Sequence, residues 1–277
     1  MTVASDSAYL LGPGEGERPR DGEFAIKSGR EALVLCEARH VAGEREPGPH
    51  IHHHHSDAFF MLEGEVLFRV GGGEHLLGPG DFVFAPPGLV HSYRSPGGEG
   101  CRFLNIHAPG MGFDDRLRGL LDDFDQHPPP ADGGRPPSDG VLLRRGEGEH
   151  LDLGPAQGRI KVGADHGLGS VAVVEVELGA ESPGPPPHFH AVLTDSFYVL
   201  DGTLTVLLDN EEREAPAGSY ALVPPGNVHT VSNLGGEPVR FLNVSVPGGL
   251  DRYLRELAAA DPSEFPAVAA RHDVIVA

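Results

Sequence analysis

Two stretches of this chain carry the same chemically special residues at one fixed spacing, and that duplication constrains the fold more than any other feature. Pro49-His50-Ile51-His52 recurs as Pro187-His188-Phe189-His190, an offset of 138 residues. The same offset takes Asp57 to Asp195, Phe59 to Phe197, Gly64 to Gly202, Gly80 to Gly218, Pro86 to Pro224, Gly88 to Gly226 and His91 to His229. It ends on Arg102-Phe103-Leu104-Asn105, matched by Arg240-Phe241-Leu242-Asn243. A register kept without insertion across this span implies two copies of one domain with equal strand and turn lengths.

Within each copy, the apolar residues come in short runs closed by turn residues. Residues 32–36, 59–62, 66–70 and 82–85 in the first half, and 171–176, 197–200, 204–208 and 220–223 in the second, are rich in Val, Phe, Leu and Tyr. Gly71–Gly73 and Asp209-Asn210 are typical of the punctuation between them. Such runs predict many short antiparallel strands. A helical spacing follows each block: Leu117, Leu120, Leu121 and Phe124 predict a helix over 114–124, and Leu250, Tyr253, Leu254 and Leu257 one over 250–260. These helices match at an offset of 137. Between the halves lies a segment with Pro128-Pro129-Pro130 and Pro136-Pro137. Proline lacks the N–H that a sheet ladder needs, so this run is expected to be a linker. The expected division is a first domain over 1–126, a linker over 127–139 and a second domain over 140–277.

Charge and composition exclude several functions. With 21 Lys and Arg against 41 Asp and Glu, the formal net charge is −20. Such a surface repels phosphate backbones and anionic headgroups, so neither nucleic acid nor membrane is an expected partner. No run approaches the roughly 18 apolar residues that span a bilayer. The opening residues show no basic start followed by an apolar run, so no secretory leader is expected and a cytoplasmic location is. Two cysteines, Cys36 and Cys101, cannot build a disulfide framework and are expected in the core.

Sixteen histidines stand in that acidic background, and their placement points to a metal. His50 and His52 are two apart on a predicted strand, so both side chains leave one face. Asp57 follows, and His91 lies beyond the turn Pro86-Pro87-Gly88; His188, His190, Asp195 and His229 repeat the set. Three imidazoles and a carboxylate suit a divalent transition ion such as Fe, Mn, Ni, Co, Cu or Zn, one per domain. His53, His54 and His55 have no counterparts in Ala191, Val192 and Leu193 and are expected to be exposed loop residues, with His54 the one that could reach the first site as a substitute ligand or proton shuttle. Alternation along the strands turns Phe59, Met61 and Tyr93 toward the first site and Phe197, Val199 and Val231 toward the second. These residues are candidates to line a substrate pocket or simply to fill the barrel, and Tyr93 could donate a hydrogen bond to a substrate. Asn105 and Asn243 recur in both halves.

His50-x-His52-x4-Asp57-x6-Gly64 with Gly80-x5-Pro86-x-Gly88-x2-His91, and His188-x-His190-x4-Asp195-x6-Gly202 with Gly218-x5-Pro224-x-Gly226-x2-His229, resemble the two signature motifs of the cupin superfamily. Both motifs in both halves make the chain similar to bicupins, and residues around Phe197–Gly202 and Pro247-Gly248-Gly249 look most similar to quercetin-dioxygenase-like members. The resemblance implies an all-β fold of two tandem jelly-roll barrels (double-stranded β-helices), each followed by a short helix. It implies His50, His52, Asp57, His91, His188, His190, Asp195 and His229 as metal ligands. The family's acidic ligand is usually Glu, and Asp is shorter by one methylene, so either the strand lies closer to the ion or the carboxylate meets it through water.

The function expected from this resemblance is a metal-dependent oxygenase that oxidises a small aromatic or enolisable compound with dioxygen, with Asp57 and Asp195 as bases and Tyr93 as a hydrogen-bond donor. The same ligands serve a metal-dependent isomerase, cyclase or decarboxylase, or a cupin that binds a small molecule without turnover. Oxalate-type decarboxylation would call for a cation among the inward positions, and none is evident there. A monomer or a homodimer is expected, the duplicated chain already supplying a pseudo-dimer.

Overall fold

The computed structural model describes residues 7–19, 22–40, 46–70, 72–97, 100–133, 136 and 139–277. Residues 134, 135, 137 and 138 of the expected linker, and Gly71 of an expected turn, lie outside these. The chain forms two compact units, one built mainly from residues 16–147 and one mainly from 171–277.

In the first of these, six antiparallel strands run in the spatial order Val141–Leu143, Phe82–Ala85, Ser56–Gly64, Cys101–Ala108, Val34–His40 and Phe24–Gly29. A second sheet of Gly73–Leu77, Val66–Val70 and His91–Arg94 belongs to the same unit. Residues of both sheets share one buried cluster, with Phe59, Met61, Val83 and Phe103 from the larger sheet meeting Val66, Phe68, Val70 and Leu77 from the smaller. Each sheet thus covers the other's apolar face, as a jelly-roll barrel requires.

The other unit repeats this plan. Its seven-stranded sheet runs Tyr9–Leu11, Tyr220–Val223, Thr194–Asp201, Val239–Val246, Ala172–Leu178, Ala156–Val162 and Glu149–Asp152. Glu211–Pro216, Thr203–Leu208, His229–Ser232, His188–Phe189 and Ile275–Val276 form its second sheet. The strands expected at 66–70, 82–85 and 220–223 have the expected limits. Ser56–Gly64 runs further in both directions than 59–62, since the ladder with Cys101–Ala108 continues across Asp57 and Ser56. Cys36 and Cys101 are buried.

Two features depart from the sequence reading. The division differs from a cut at the proline-rich segment, because each barrel takes a strand from beyond it. Tyr9–Leu11 pairs with residues 220–222, and residues 7–15 belong to the unit of the second barrel. Val141–Leu143 pairs with residues 82–84 in the unit of the first. The apolar repeat could not reveal this, since a strand's pattern names the face it buries and not the sheet that receives it. The first helix is also short, covering Phe113–Arg118. Gly119, with φ of 73°, caps it and turns the chain out of the helix, leaving Leu120 exposed. The second helix, Leu250–Ala259, matches its expected span closely, and a further helix, Phe265–Arg271, follows it.

Residues 9–11 therefore support a sheet more than 200 residues away in sequence. Their removal is expected to speed amide exchange across residues 220–223 and 194–201 at least tenfold while 82–85 stays protected, as read by hydrogen–deuterium exchange. Unchanged protection at 220–223 would contradict the pairing.

Candidate metal centres

The histidines that the sequence singles out converge in both barrels. In the first, His50, His52, Asp57 and His91 each offer a donor atom within 4.8 Å of all the others, and all four residues are buried. The backbone sets this up locally. His50 and His91 face each other across an antiparallel bridge, and Asp57 enters from the adjoining strand opposite Ala85 and His107. In the second barrel, His188, His190 and His229 form the corresponding group, with His188 paired to His229.

Each imidazole is held through its Nδ1. His50 Nδ1–H donates to the Gly48 carbonyl (2.8 Å), His91 to Leu89 (2.9 Å), His188 to Pro186 (2.9 Å) and His229 to Asn227 (3.1 Å). His52 donates to the Asp125 carbonyl and His190 to the Asp273 carbonyl, the latter at 2.7 Å. A carbonyl only accepts, so the neutral ring carries its proton on Nδ1 and leaves Nε2 as a bare lone pair. Nε2 of His52, His91, His190 and His229 is buried without a hydrogen-bond partner.

The carboxylates sharpen this. Asp57 Oδ2 lies 3.5 Å from Nε2 of both His52 and His91, and Asp195 Oδ2 lies 3.8 Å from His190 Nε2 and 3.6 Å from His229 Nε2. Bare nitrogens facing carboxylate oxygens are acceptors facing acceptors, an arrangement that a cation between them stabilises. Burial opposes the charge on Asp57, but His107 beside it holds the carboxyl well below the usual range. Asp195 is likewise lowered against its burial, with the Asn243 amide donating to it. Burial, with the neighbouring imidazoles, pushes His50 and His188 down to about 4. The donor set of borderline nitrogens and one carboxylate oxygen fits a divalent transition ion.

The two sites differ in their acid. Asp57 joins a group of four mutually close donors, whereas Asp195 stands close to two imidazoles but outside the group that includes His188. Asparagine sets both carboxylates: Asn105 Nδ2 donates to Asp57 Oδ1 and Asn243 Nδ2 to Asp195 Oδ1, each at 2.5 Å. The recurrence of these asparagines thus has a positioning role.

The expected pocket residues lie in the barrel cores. Phe59 and Met61 belong to the first cluster, and Phe197, Val199 and Val231 to the second. Tyr93 packs among Phe59, Phe68 and Phe103, and its hydroxyl meets His40 Nε2 at 3.1 Å while His40 Nδ1 meets Glu23 at 2.6 Å. Its hydroxyl is therefore engaged with His40. The buried lysine of the first unit, Lys27, is paired with Glu37 at 3.4 Å and is not among the groups around Asp57.

The histidine run is only partly the exposed loop expected of it. His53 and His54 are exposed, and His54 is outside the donor group. His55 is instead buried against His52 and Phe124, with Nδ1 on Asp125 at 3.0 Å. Asp125, which sequence reasoning missed, gathers this loop by accepting the N–H groups of His53 (3.0 Å) and His54 (2.8 Å). Asp273 does the same in the second barrel for the N–H groups of Ala191, Val192 and Leu193. His107 was missed as well; it stacks on Phe113 at 3.8 Å and sits 3.6 Å from Asp57 Oδ1. Its period-two relation to Phe103 and Asn105 was the available signal.

The family described as "Cupin domain" matches residues 39–107 and 172–245. The chain is a bicupin of that family. This bicupin is 27% identical to quercetin 2,3-dioxygenase of Bacillus subtilis (strain 168), over 92% of its own length and 87% of that enzyme. A 60-residue stretch, 22% of the chain, is 33% identical to 48% of the uncharacterized protein MJ1618 of Methanocaldococcus jannaschii. An oxalate decarboxylase structure superposes with a TM-score of 0.58 at 16% identity, covering 100% of the bicupin and 90% of that chain. Protein Ylba from E. coli gives 0.62 at 12% identity, covering 87% and 91%. At these identities the structural likeness concerns the fold. No helix among the described residues is long and apolar enough to cross a membrane.

Two predictions follow from the geometry. His50 and His188 bind protons more weakly folded than unfolded, so metal-free protein loses stability as pH falls from about 6.5 toward 4, by roughly 3 kcal/mol per histidine. A melting temperature that stays flat between pH 7 and 4.5 would contradict the buried neutral rings. Asp125→Ala releases the loop that carries His52 and is expected to weaken metal binding at the first site about 10–100-fold, by competition with a chelator. Asp273→Ala should do the same at the second site alone.

Proposed function

We propose that this bicupin is a metal-dependent oxygenase of the quercetin 2,3-dioxygenase type, with a small aromatic or enolisable compound and dioxygen as its partners. The observation that carries the proposal is the convergence of His50, His52, His91 and Asp57, with Nε2 of His52 and His91 buried and unpartnered and the carboxylate ionised. Similarity to the Bacillus enzyme over nearly the whole length supports the choice of reaction class. Iron, manganese, nickel, cobalt, copper and zinc all suit the donors, and a bound ion would lower the pKa of a substrate hydroxyl and, if redox-active, couple substrate oxidation to dioxygen.

The chain supplies the rest. His50, His52 and His91 are fixed in tautomer and orientation by their Nδ1 bonds, so no reorganisation is needed when ligands assemble. Asp57 receives the proton of the substrate hydroxyl: it is ionised at neutral pH, buried, and held through Oδ1 by Asn105, which leaves Oδ2 facing the donor cluster. The apolar cluster of Phe59, Phe68, Val83 and Phe103 excludes water from the barrel interior. In the second barrel Asp195 and Asn243 repeat this pair.

Elemental mass spectrometry of untagged protein, purified without nickel resin, should find close to two transition ions per chain. His50→Ala and His188→Ala should each lose about one. Oxygen consumption with a flavonol, expressed per bound ion, should fall about 10²–10⁴-fold in Asp57→Asn. Metal content insensitive to both histidine changes would refute the site. Full metal with no oxygen uptake on any flavonol or enolisable phenol would refute the reaction.

A further inference from the structure

Two histidines of the first barrel stand outside its metal centre yet against each other. His127, the first residue of the proline-rich segment, bridges to Ile51 through two backbone hydrogen bonds of 3.0 and 2.9 Å. That bridge brings its side chain to His53, two residues on from Ile51: the ring centroids lie 4.5 Å apart with their planes tilted by 37°. The second barrel makes the same pairing between Phe189 and Ile275. Ala191 and Ile275 therefore stand where the first barrel has His53 and His127, and neither can ligate a cation.

Asp125 prepares the pair. Its Oδ1 lies 3.0 Å from His127 Nε2, and a carboxylate only accepts, so Nε2 carries the proton and Nδ1 keeps its lone pair. A carboxylate behind one ring nitrogen with a metal ion on the other is the recurring arrangement of ligating histidines. The same carboxylate accepts the backbone N–H of His53 at 3.0 Å, which fixes where that side chain leaves the loop. Both rings reach solvent, His53 being exposed and the His127 side chain 40% so. Their separation equals that of pairs inside the two centres, 4.3 Å for His50 and His91 and 4.5 Å for His188 and His229. The net charge of −20 raises the concentration of cations near the surface on which the pair opens.

We infer that His53 and His127 hold a third, exchangeable transition ion of the zinc, copper, nickel or cobalt class, at the surface of the first barrel alone. Groups of three close donors among the described residues are confined to the two centres, so this ion has two imidazole ligands and completes its sphere with water. It is bound more weakly than the ions of the centres and leaves on dialysis. Magnesium and calcium, which take oxygen ligands, do not compete for it. Asp125 stands between the two ions, its carbonyl holding His52 of the centre and its carboxylate holding His127. The inference is independent of the proposed reaction, since it needs neither substrate nor dioxygen.

The test is equilibrium dialysis of the untagged full chain against zinc at pH 7.5, with magnesium in excess. Free zinc is held at roughly 0.1 mM, enough by mass action to fill a weak site. The parent should hold about one ion per chain beyond those that survive dialysis into zinc-free buffer. His53→Ala and His127→Ile, which install the second barrel's residues, should each abolish that extra ion and keep the tightly held ones. His54→Val, also the second barrel's residue, changes an exposed neighbour whose ring lies 6.1 Å from that of His53, and should keep it. In ¹H–¹⁵N ring spectra the extra ion should move His127 Nδ1 while Nε2 keeps its proton. No extra ion in the parent, or extra ions that survive both substitutions, would overturn the site. So would an extra ion displaced by magnesium, or one that depends on His54. Loss of a tightly held ion together with the extra one would assign the pair to the first centre and overturn a separate site.

Discussion

The protein's architecture turns on a hydrogen bond that each of six histidines makes away from the site. By giving Nδ1–H to a backbone carbonyl, His50, His52, His91, His188, His190 and His229 fix their rings and direct a bare Nε2 inward. Left alone, that arrangement is unfavourable, because buried lone pairs face one another and an ionised aspartate. The folded barrels tolerate it because the carbonyls belong to strand ends and turns that the ladders hold in place. Four of the six carbonyls come from the residue two positions earlier in the chain, so a strand entry suffices to set both ring and partner. The other two come from Asp125 and Asp273, whose side chains also gather the loop after the paired histidines.

Much of this was legible in the sequence because the duplication repeats both pattern and chemistry. The offset of 138 carries strands, turns and all three imidazoles plus the acid of each site. What the offset could not carry was missed. Asp125 and Asp273 are equivalent in role but separated by 148 residues, since the second half inserts the helix Phe265–Arg271 before its anchoring aspartate. His107 and His55 have no histidine counterparts, so a search for recurring residues discards them, though burial and ring contacts make them part of the first site. Strand alternation put Tyr93 on the correct face but could not show that His40, 53 residues earlier, takes its hydroxyl.

The duplication also sets the limits of the likeness between the barrels. Both keep the asparagine that positions the acid, yet only Asp57 reaches all three imidazoles. Around the first site lie aromatic rings and additional imidazoles; around the second, Leu193 and Ser245. Two copies of one domain have kept the same donor atoms while the residues next to them diverged. The structural neighbours share the fold at 12–18% identity, and likeness at that level concerns the fold alone.

The central claim is that six neutral imidazoles present bare Nε2 atoms to two metal centres. Long-range ¹H–¹⁵N correlation spectra of the histidine rings, recorded on metal-free protein at pH 7.5 and again after adding two equivalents of zinc, test it directly. Six rings should show the Nδ1–H tautomer before zinc, and the Nε2 resonances of those six should shift when it binds. Protons on Nε2 in the metal-free protein, or ring resonances indifferent to zinc, would contradict the account.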